Sequence, residues 1–285
     1  MAKDYAVIKR ELELEALDTY AYIHYRRDGG PIYDLVTGRE PHPVGQTTCL
    51  KAGMRGLVWE SFRAERPMFH LCEVASPVHA IAAQPHILEM KVTGEPKNWL
   101  YRPDLHLEVD AVFADMIANN IPFAQAVADW RPNWGDNHKV ALIVEVKNDE
   151  DRRNNDSQYQ LKLELAKKVY ENINWRFTTV VRSRDVEMPR LSTAVDGIMF
   201  DHDVSITPGD IDLVRNVLPP RPYAGRLDDV IRALGGGATG RGKAASLHVR
   251  RIISIDLTLG LDPDTPVRRL EDELANFEME GRYPW

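Results

Sequence analysis

Apolar and polar positions follow two different strand patterns in the middle of the chain. Leu105, Leu107 and Val109 occupy every second position of LHLEVD, which is the period of a half-buried strand. The segment 140–147, VALIVEVK, is an unbroken apolar and β-branched run up to its last positions. Such a run is expected of a strand at the centre of a sheet. The sequence therefore predicts two strands, the second of them central.

A helix and a further strand follow the central strand. The segment 159–173, YQLKLELAKKVYENI, has Tyr159, Leu163, Ala166 and Tyr170 at helical spacing, and WRFTTVV at 175–181 predicts another buried strand. A strand–helix–strand order predicts parallel pairing with a right-handed crossover. The predicted fold class is therefore α/β, with a mixed sheet flanked by helices.

Helix and strand signals also precede Asp104. The segment 57–75, LVWESFRAERPMFHLCEVA, predicts an amphipathic helix that carries Glu60 and Glu65. Pro67 lacks an amide hydrogen, so this helix is expected to start near Glu65 or to bend there. The segment 78–92, VHAIAAQPHILEMKV, predicts a strand, a turn near Pro85 and a second strand.

Turn signals divide the chain into three parts. Residues 1–45 are expected to form an N-terminal arm or small helical cap, residues 46–190 the mixed-sheet domain, and residues 191–285 a smaller C-terminal domain. In the last part, IDLVRNVL and LDDVIRALG predict short helices, and SLHVRRIISIDLT predicts a helix that runs into a strand.

The composition excludes several classes of protein. The N-terminal MAKDYAVIKRELELEALD is charged, unlike a signal peptide, and no apolar run approaches the ~20 residues that a membrane span needs. Cys49 and Cys72 are the only cysteines, too few for a disulfide framework or a zinc site. We therefore expect a cytoplasmic protein without a membrane partner.

The net charge of -7 argues against a protein that coats nucleic acid by bulk electrostatics. The segment from Arg215 to Arg251 is an exception, with eight basic residues against two acidic ones. This excess makes phosphate contact one interpretation and an ordinary solvated surface the other. If the segment contacts phosphate, the DNA-binding candidates are Arg241, Lys243, Arg250 and Arg251.

Carboxylates and a lysine stand at the ends of the two predicted strands. Asp104 opens one strand, and Glu145 and Lys147, two residues apart, share a face at the end of the other. Magnesium prefers oxygen ligands and activates its bound water, which suits phosphodiester hydrolysis. Lys147 would orient that water or stabilise the developing charge, and Glu65 would complete a second metal position. Manganese is expected to substitute for magnesium.

Short patterns such as PD with ExK also arise by chance. A glutamate and a lysine two residues apart commonly lie on a solvent-facing strand surface. The charges of LIVEVK, however, occur only at the carboxyl end of an apolar run. Because sites cluster at the carboxyl ends of such strands, this position favours a functional site.

The stretch from Glu60 to Val181 resembles a known family in several motifs. ESFRAERPMFHLCEVASPVHAIAAQP, YRPDL and LIVEVK are similar to the helix-and-strand pattern, the Y-x-P-D-F motif and the EVK motif of TnsA. TnsA is the endonuclease subunit of heteromeric Tn-type transposases and belongs to the PD-(D/E)xK nuclease superfamily. LHVRRIISIDLTLGLDPDTPVRRL resembles the end of the family's C-terminal region, with lower specificity.

This resemblance implies a restriction-endonuclease-like domain followed by a C-terminal winged-helix-like domain for DNA and partner contact. The implied metal ligands are Glu65, Asp104, Glu145 and the main-chain carbonyl of Val146. Lys147 would be the catalytic lysine, and Glu60 is the weaker candidate for the helix carboxylate. The implied activity is metal-dependent DNA cleavage at the 5′ ends of a transposon, with an integrase-type transposase subunit and an AAA+ ATPase regulator as partners.

Two features depart from the family. Asp104 and Glu145 are separated by forty-one positions, a longer connection than expected. Within it, the segment 115–137 predicts an inserted helix and loop whose Trp130 and Trp134 pack on the domain or form a partner surface. The N-terminal arm has no clear counterpart. A stand-alone phage or defence nuclease, and a nuclease-fold scaffold that binds partners without cutting, therefore stay open as alternatives.

Overall fold

The computed structural model describes residues 12–14, 19–32, 43–133, 138–150 and 155–270. These residues form an α/β protein, which confirms the predicted fold class. Three predicted features lie wholly or partly outside the described residues. They are much of the N-terminal arm, Trp134 of the insert, and residues 271–285 of the C-terminal domain.

The strands of the described residues fall into four sheets. In chain order they are β1 (Leu12–Leu14), β2 (Thr19–Tyr25), β3 (Gly45–Cys49), β4 (Arg55–Trp59), β5 (Val78–Ala83), β6 (His86–Lys91), β7 (Trp99–Tyr101), β8 (Leu105–Asp110), β9 (Lys139–Lys147), β10 (Arg176–Val181), β11 (Gly225–Arg226), β12 (Ile253–Ile255) and β13 (Pro266–Arg269). Strands β3 and β4 form a two-stranded antiparallel hairpin.

The helices surround these sheets. In chain order they are α1 (Glu65–Val74), α2 (Ala111–Ala118), α3 (Phe123–Asp129), α4 (Ser157–Asn172), α5 (Pro189–Asp201), α6 (Pro208–Val217), α7 (Leu227–Ala233) and α8 (Gly237–Val249). A single π-helical turn, Arg182–Val186, follows β10. None of the helices in the described part of the chain is long and apolar enough to cross a membrane.

The central sheet is mixed and has the order β10-β9-β8-β5. β9 pairs in parallel with β10 and antiparallel with β8, and β8 pairs antiparallel with β5. The apolar run of β9 suits this place because Leu142, Ile143 and Val144 are buried between neighbours. The predicted central strand and its parallel partner are confirmed, although β10 forms the sheet edge and is only partly buried.

Alternate residues of β9 face two different cores. Leu142 and Val144 belong to the core cluster of α1, α2 and α3, whereas Ile143 packs with α4 and with the sheet of β2 and β6. Because side chains alternate along a strand, Glu145 and Lys147 continue the face of Ile143. The polar end of β9 therefore faces α4.

A second sheet, with the order β1-β2-β6-β7, covers α4 and the central sheet. Its strand β2 lies within the predicted N-terminal arm or small helical cap, where residues 19–25 form a strand and not a helix. Ala21 and Ile23 are buried at alternate positions, and β2 pairs with β6 in the register Ile23↔Leu88. The predicted strand, turn and strand at 78–92 are confirmed, with β5 and β6 in different sheets.

Helix α1 begins at Glu65, as the position of Pro67 predicts. Pro67 lies in the first turn, where an amide hydrogen has no acceptor within the helix, so the proline costs little there. The interpretation that placed Glu60 on the helix is wrong. Strand β4 ends at Trp59, and Glu60 lies in the loop between β4 and α1.

The predicted insert between Asp104 and Glu145 forms α2, α3 and the segment after them. Phe113 and Phe123 meet edge to face at 5.1 Å between ring centroids, and both are buried. Trp130 is buried as well, so this tryptophan packs on the domain. The long connection is therefore part of the core on the face of the central sheet opposite α4.

The C-terminal part has the order α6, β11, α7, α8, β12, β13, and its strands form an antiparallel sheet β11-β13-β12. A Cβ atom at Gly240 would lie 2.2 Å from the carbonyl oxygen of Ile231, so glycine allows α7 and α8 to pack closely. The predicted boundary at residues 190 and 191 falls within α5, and one core cluster includes side chains from both sides. The division into domains stays a prediction.

Candidate functional site

The register of β8 and β9 brings Asp104 and Glu145 together. Leu105 pairs with Val144, and one further step along the antiparallel strands places Asp104 opposite Glu145. The Asp104 carboxylate accepts a hydrogen bond from the Val146 amide, 2.6 Å away. Since N–H and C=O of one strand residue point to the same side, the Val146 carbonyl is also directed toward Asp104.

Glu145 and Lys147 form an ion pair in the interior. The Lys147 Nζ lies 2.8 Å from Glu145 Oε1, and the two residues are only 1% and 3% exposed. Burial of two charges costs several kcal/mol per ion unless further hydrogen bonds satisfy them. The surroundings of this pair must therefore supply donors.

Two tyrosines supply those donors. The Tyr101 hydroxyl donates to Glu145 Oε2 over 2.8 Å, and the Tyr159 hydroxyl donates to Glu145 Oε1 and accepts from Lys147 Nζ. Lys147 Nζ also lies 4.0 Å from the centroid of the Tyr159 ring. Sequence reasoning missed both tyrosines. Tyr159 fits the apolar spacing of α4, and Tyr101 is an uncharged residue of the YRPDL motif.

Glu65 reaches the site from the first turn of α1. Its Oε2 accepts the main-chain amide of Glu60 over 2.7 Å, and Ser61 orders the turn by accepting the amide of Ala64 at 3.1 Å. Helix N-termini favour carboxylates, which suits a glutamate at the first helical position. Glu60 thus contributes its main chain to the carboxylate that the resemblance selects.

Gln84 fixes the main chain of Asp104. The Gln84 amide donates to the Asp104 carbonyl over 2.8 Å, and the Gln84 carbonyl accepts from the amide of Ile32 over 2.9 Å. Gln84 has a φ of 46°, a left-handed conformation that is costly for a residue other than glycine. Its buried side-chain oxygen has no hydrogen-bond partner among the described residues. Strain of this kind concentrates at functional positions.

The carboxylates influence one another electrostatically. Burial raises the pKa of Glu65 to about 7, and the charges of Glu60 and Glu145 add to the increase. Burial, followed by the negative charges of Glu145 and Glu65, holds the pKa of Asp104 well above its usual range. Lys147 is the cation paired with Glu145 in this group, so negative charge is in excess.

The donor set matches the chemistry of a magnesium ligand set, namely carboxylate oxygens and a carbonyl oxygen. A bound cation would also relieve the repulsion that raises the pKa values of Glu65 and Asp104. Within the described residues, however, no three Asp, Glu, His or Cys side chains converge as a ready-formed cluster. The oxygens of Glu65, Asp104 and Glu145 accept hydrogen bonds from the chain instead. Metal binding would require these carboxylates to reorient.

Two of the predicted DNA-binding cations lie on α8. Arg241 is exposed, and Lys243 forms an ion pair with the buried Asp210, with 2.6 Å between Nζ and Oδ1. Lys243 therefore holds α8 to α6, and Arg241 is the cation of the two whose side chain is open to solvent.

The other two predicted cations follow α8. Arg250 donates to the Ser246 hydroxyl at 3.1 Å, and Arg251 contacts His79 and lies 3.9 Å from Asp110. Arg251 thus joins the C-terminal part to β5 and β8 of the central sheet. Contact of either arginine with DNA stays a prediction.

Comparison with models of known protein families gave no match. Comparison with curated proteins gave no significant match. Membership of a family therefore rests on the motifs around Glu65, Asp104 and Glu145, and it stays a prediction.

Proposed function

We propose that this chain is a magnesium-dependent DNA endonuclease whose site is formed by Glu65, Asp104, Glu145 and Lys147. The observation that carries the proposal is the end of β9, where the Val146 amide donates to Asp104 at 2.6 Å and Lys147 pairs with Glu145 at 2.8 Å. A strand that is otherwise apolar has no structural need for these charges at its end. The mixed sheet flanked by helices is in keeping with a restriction-endonuclease-like fold.

The proposed mechanism assigns each side chain a task. Glu65, Asp104, Glu145 and the Val146 carbonyl would hold the metal. When bound, magnesium supplies a water of lowered pKa and neutralises charge that develops on the phosphate. Lys147 places a positive charge beside the reacting phosphate and orients the attacking water.

The tyrosines act on the ligands themselves. Tyr101 and Tyr159 fix the orientation of the Glu145 carboxylate through its two oxygens. Hydrogen bonds of this kind hold a metal ligand in position. Their loss lowers metal affinity or activity by roughly 10–100-fold. We assign both tyrosines as positioning residues.

The narrower assignment, to the 5′-end-cleaving subunit of a heteromeric transposase, rests on the resemblance of the segment from Glu60 to Val181. The C-terminal order of helix, strand, two helices and two strands supports a winged-helix-like unit there. With this assignment the partners are DNA, an integrase-type transposase subunit and an AAA+ ATPase.

Metal binding and cleavage together test the proposal. Titration of the full chain with Mn²⁺, followed by electron paramagnetic resonance, should show bound metal that Asp104→Asn weakens by about a hundredfold or more. Glu108→Gln is the matched control, since Glu108 lies on the same strand and pairs at the surface with Lys139 at 2.8 Å. Binding of Mn²⁺ that Asp104→Asn leaves unchanged would exclude the proposed site.

Plasmid nicking in Mg²⁺ separates the alternatives. Cleavage by the purified chain alone favours a stand-alone nuclease, and cleavage only with an added transposase and ATPase favours the partner-dependent one. In both cases Asp104→Asn should abolish nicking, and Glu108→Gln should preserve it. A chain that binds metal but never cuts, with or without partners, is a scaffold.

A further inference from the structure

A pocket beside the candidate site has a chemistry that the proposed mechanism does not use. It lies between α1, the π-helical turn after β10 and α5, has a volume of about 380 Å³, and its lining includes Phe62, Arg63, Arg66, Arg182, Val186 and Leu191. We call it the arginine pocket. Its size is within the range of ligand-binding pockets, roughly 300–1,000 Å³.

The chain places the arginine pocket next to the proposed metal ligands. Arg66 follows Glu65 directly in α1. Arg182 follows Val181, the last residue of β10, and Val181 pairs with Lys147. Sequence neighbours of Glu65 and of the β10 residue that pairs with Lys147 therefore line this pocket.

The arginines of the pocket differ in their surroundings. Arg182 is held by Asp149 at 3.2 Å and by Glu187 at 3.1 Å. In the described part of the chain, by contrast, neither Arg63 nor Arg66 has a carboxylate within ion-pair distance. Glu187 and Asp196 also line the pocket, and Glu187 is already paired with Arg182. Arg63 and Arg66 are therefore the cations through which the pocket could take an anion, and guanidinium matches phosphate geometry well.

An aromatic ring and an apolar floor accompany these cations. Phe62 is 53% exposed, and the guanidinium of Arg66 lies 4.8 Å from its ring centroid. Val186 and Leu191 line the pocket and are buried. An exposed ring next to arginines is the combination that single-stranded nucleic-acid sites use, since bases stack on the ring and phosphates meet the cations.

We propose that the arginine pocket takes one unpaired nucleotide of the DNA strand that the chain cleaves. The phosphate lies against Arg63 and Arg66, and the base lies against Phe62 and the apolar floor. The volume of about 380 Å³ suits a single nucleotide better than a base pair with its backbone. The DNA source of this nucleotide rests on the proposed nuclease function. The pocket thus predicts a preference for DNA that is unpaired beside the cut.

Binding without metal tests this inference independently of catalysis. Fluorescence anisotropy in EDTA, at fixed salt, compares the full chain on a fully paired duplex and on the same duplex with a short unpaired stretch. The double variant Arg63→Ala/Arg66→Ala should bind the unpaired probe about tenfold or more weakly, from loss of charge-assisted hydrogen bonds. Phe62→Ala should weaken the same probe about fivefold or more, and Phe62→Trp should retain its binding.

Arg176→Ala is the matched control. Arg176 begins β10 at the end opposite Arg182 and makes an exposed ion pair with Asp115 at 3.5 Å. Its removal should leave the affinity for either probe within about twofold, because exposed pairs contribute little.

Three results would overturn the inference. The first is unchanged binding of the unpaired probe by Arg63→Ala/Arg66→Ala. The second is an equal loss on both probes, which indicates ordinary duplex contact. The third is full competition by a free deoxynucleoside monophosphate at the oligonucleotide's own concentration, which indicates a free-nucleotide site. Because no metal is present, a failure of the nuclease proposal shows only in the Asp104→Asn experiments, not here.

Discussion

Among the described residues, a lysine is buried together with a glutamate in two places, and the partners of the two clusters differ in kind. Near the end of α1, Lys51 donates to the carbonyls of Cys72 and Ala75 at 3.2 Å and 2.7 Å. Glu73 accepts the main-chain amides of Leu50 and Lys51 at 2.6 Å and 3.2 Å. Every one of these partners is main chain, so the Lys51–Glu73 cluster fastens α1 to the segment that follows β3.

At the end of β9 the partners are side chains. Glu145 is held by Lys147, Tyr101 and Tyr159, and Asp104 lies opposite it across the strand pair. Side chains can exchange these hydrogen bonds for a ligand without breaking secondary structure, whereas main-chain partners cannot. Burial of charge alone therefore does not identify a functional site, and the kind of hydrogen-bond partner is more informative.

Of the changes proposed here, Lys51→Met should lower the free energy of unfolding the most. This change removes the two hydrogen bonds that the buried ammonium donates to the carbonyls of Cys72 and Ala75, which costs about 3 kcal/mol of unfolding free energy. Urea unfolding measures the loss. Metal binding and cleavage per folded molecule should stay unchanged. If the Lys51→Met variant kept its stability but lost cleavage, the Lys51–Glu73 cluster would be functional and not structural.

The same substitution in the other cluster should have a smaller effect on stability. Lys147→Met breaks a buried ion pair, but Glu145 keeps both tyrosine hydroxyls, so we expect a loss of about 2 kcal/mol. Cleavage should fall by about a hundredfold or more, from loss of a charge beside the reacting phosphate. Lys139→Met on the same strand is the control, since Lys139 is exposed. Equal stability losses for Lys51→Met and Lys147→Met would remove the contrast.

The smallest expected effect is a pH dependence from Glu65. Burial raises its pKa to about 7, so the folded state binds a proton that the unfolded state, with an ordinary value of 4.5, releases. Without metal, this carboxyl therefore makes unfolding easier as the pH rises through about 7.

Magnesium should oppose that trend, because the ion must displace the proton from Glu65. Between about pH 6 and pH 8, stabilisation by a magnesium concentration near the dissociation constant should increase by a few tenths of a kcal/mol. Thermal unfolding with and without magnesium measures it. Glu65→Gln should reduce the pH dependence, and we expect the part that persists in this variant to come from Asp104, whose pKa burial also raises. An unchanged pH dependence in Glu65→Gln would contradict the prediction.

Much of the central sheet follows from local sequence. The apolar run of β9 and the helical spacing of α4 are strong periodic signals, and together they imply the parallel pairing with β10. The start of α1 follows from Pro67, and this start separates Glu65 from Glu60. These features depend on residues close in sequence, which is why the pattern predicts them.

The rest depends on partners far away in sequence. Strand β2 is stabilised by pairing with β6, which lies more than sixty positions later in the chain. The roles of Tyr101 and Tyr159 follow from a shared partner, Glu145, on another strand. The charge excess near α8 likewise gave no information about Asp210, which engages Lys243. Such contacts appear only when the elements are assembled.

Residues 19–32 are joined to Asp104 by two consecutive main-chain hydrogen bonds, from Ile32 to Gln84 and from Gln84 to Asp104. The same residues supply β2, which pairs with β6 and covers the buried Leu88. A protein shortened to the predicted boundary at residue 46 would lose the hydrogen bond from Ile32 to Gln84 and the pairing of β2 with β6. It would expose β6 as an unpaired edge, a template for aggregation. The smallest soluble unit that keeps Asp104 in place therefore includes β2.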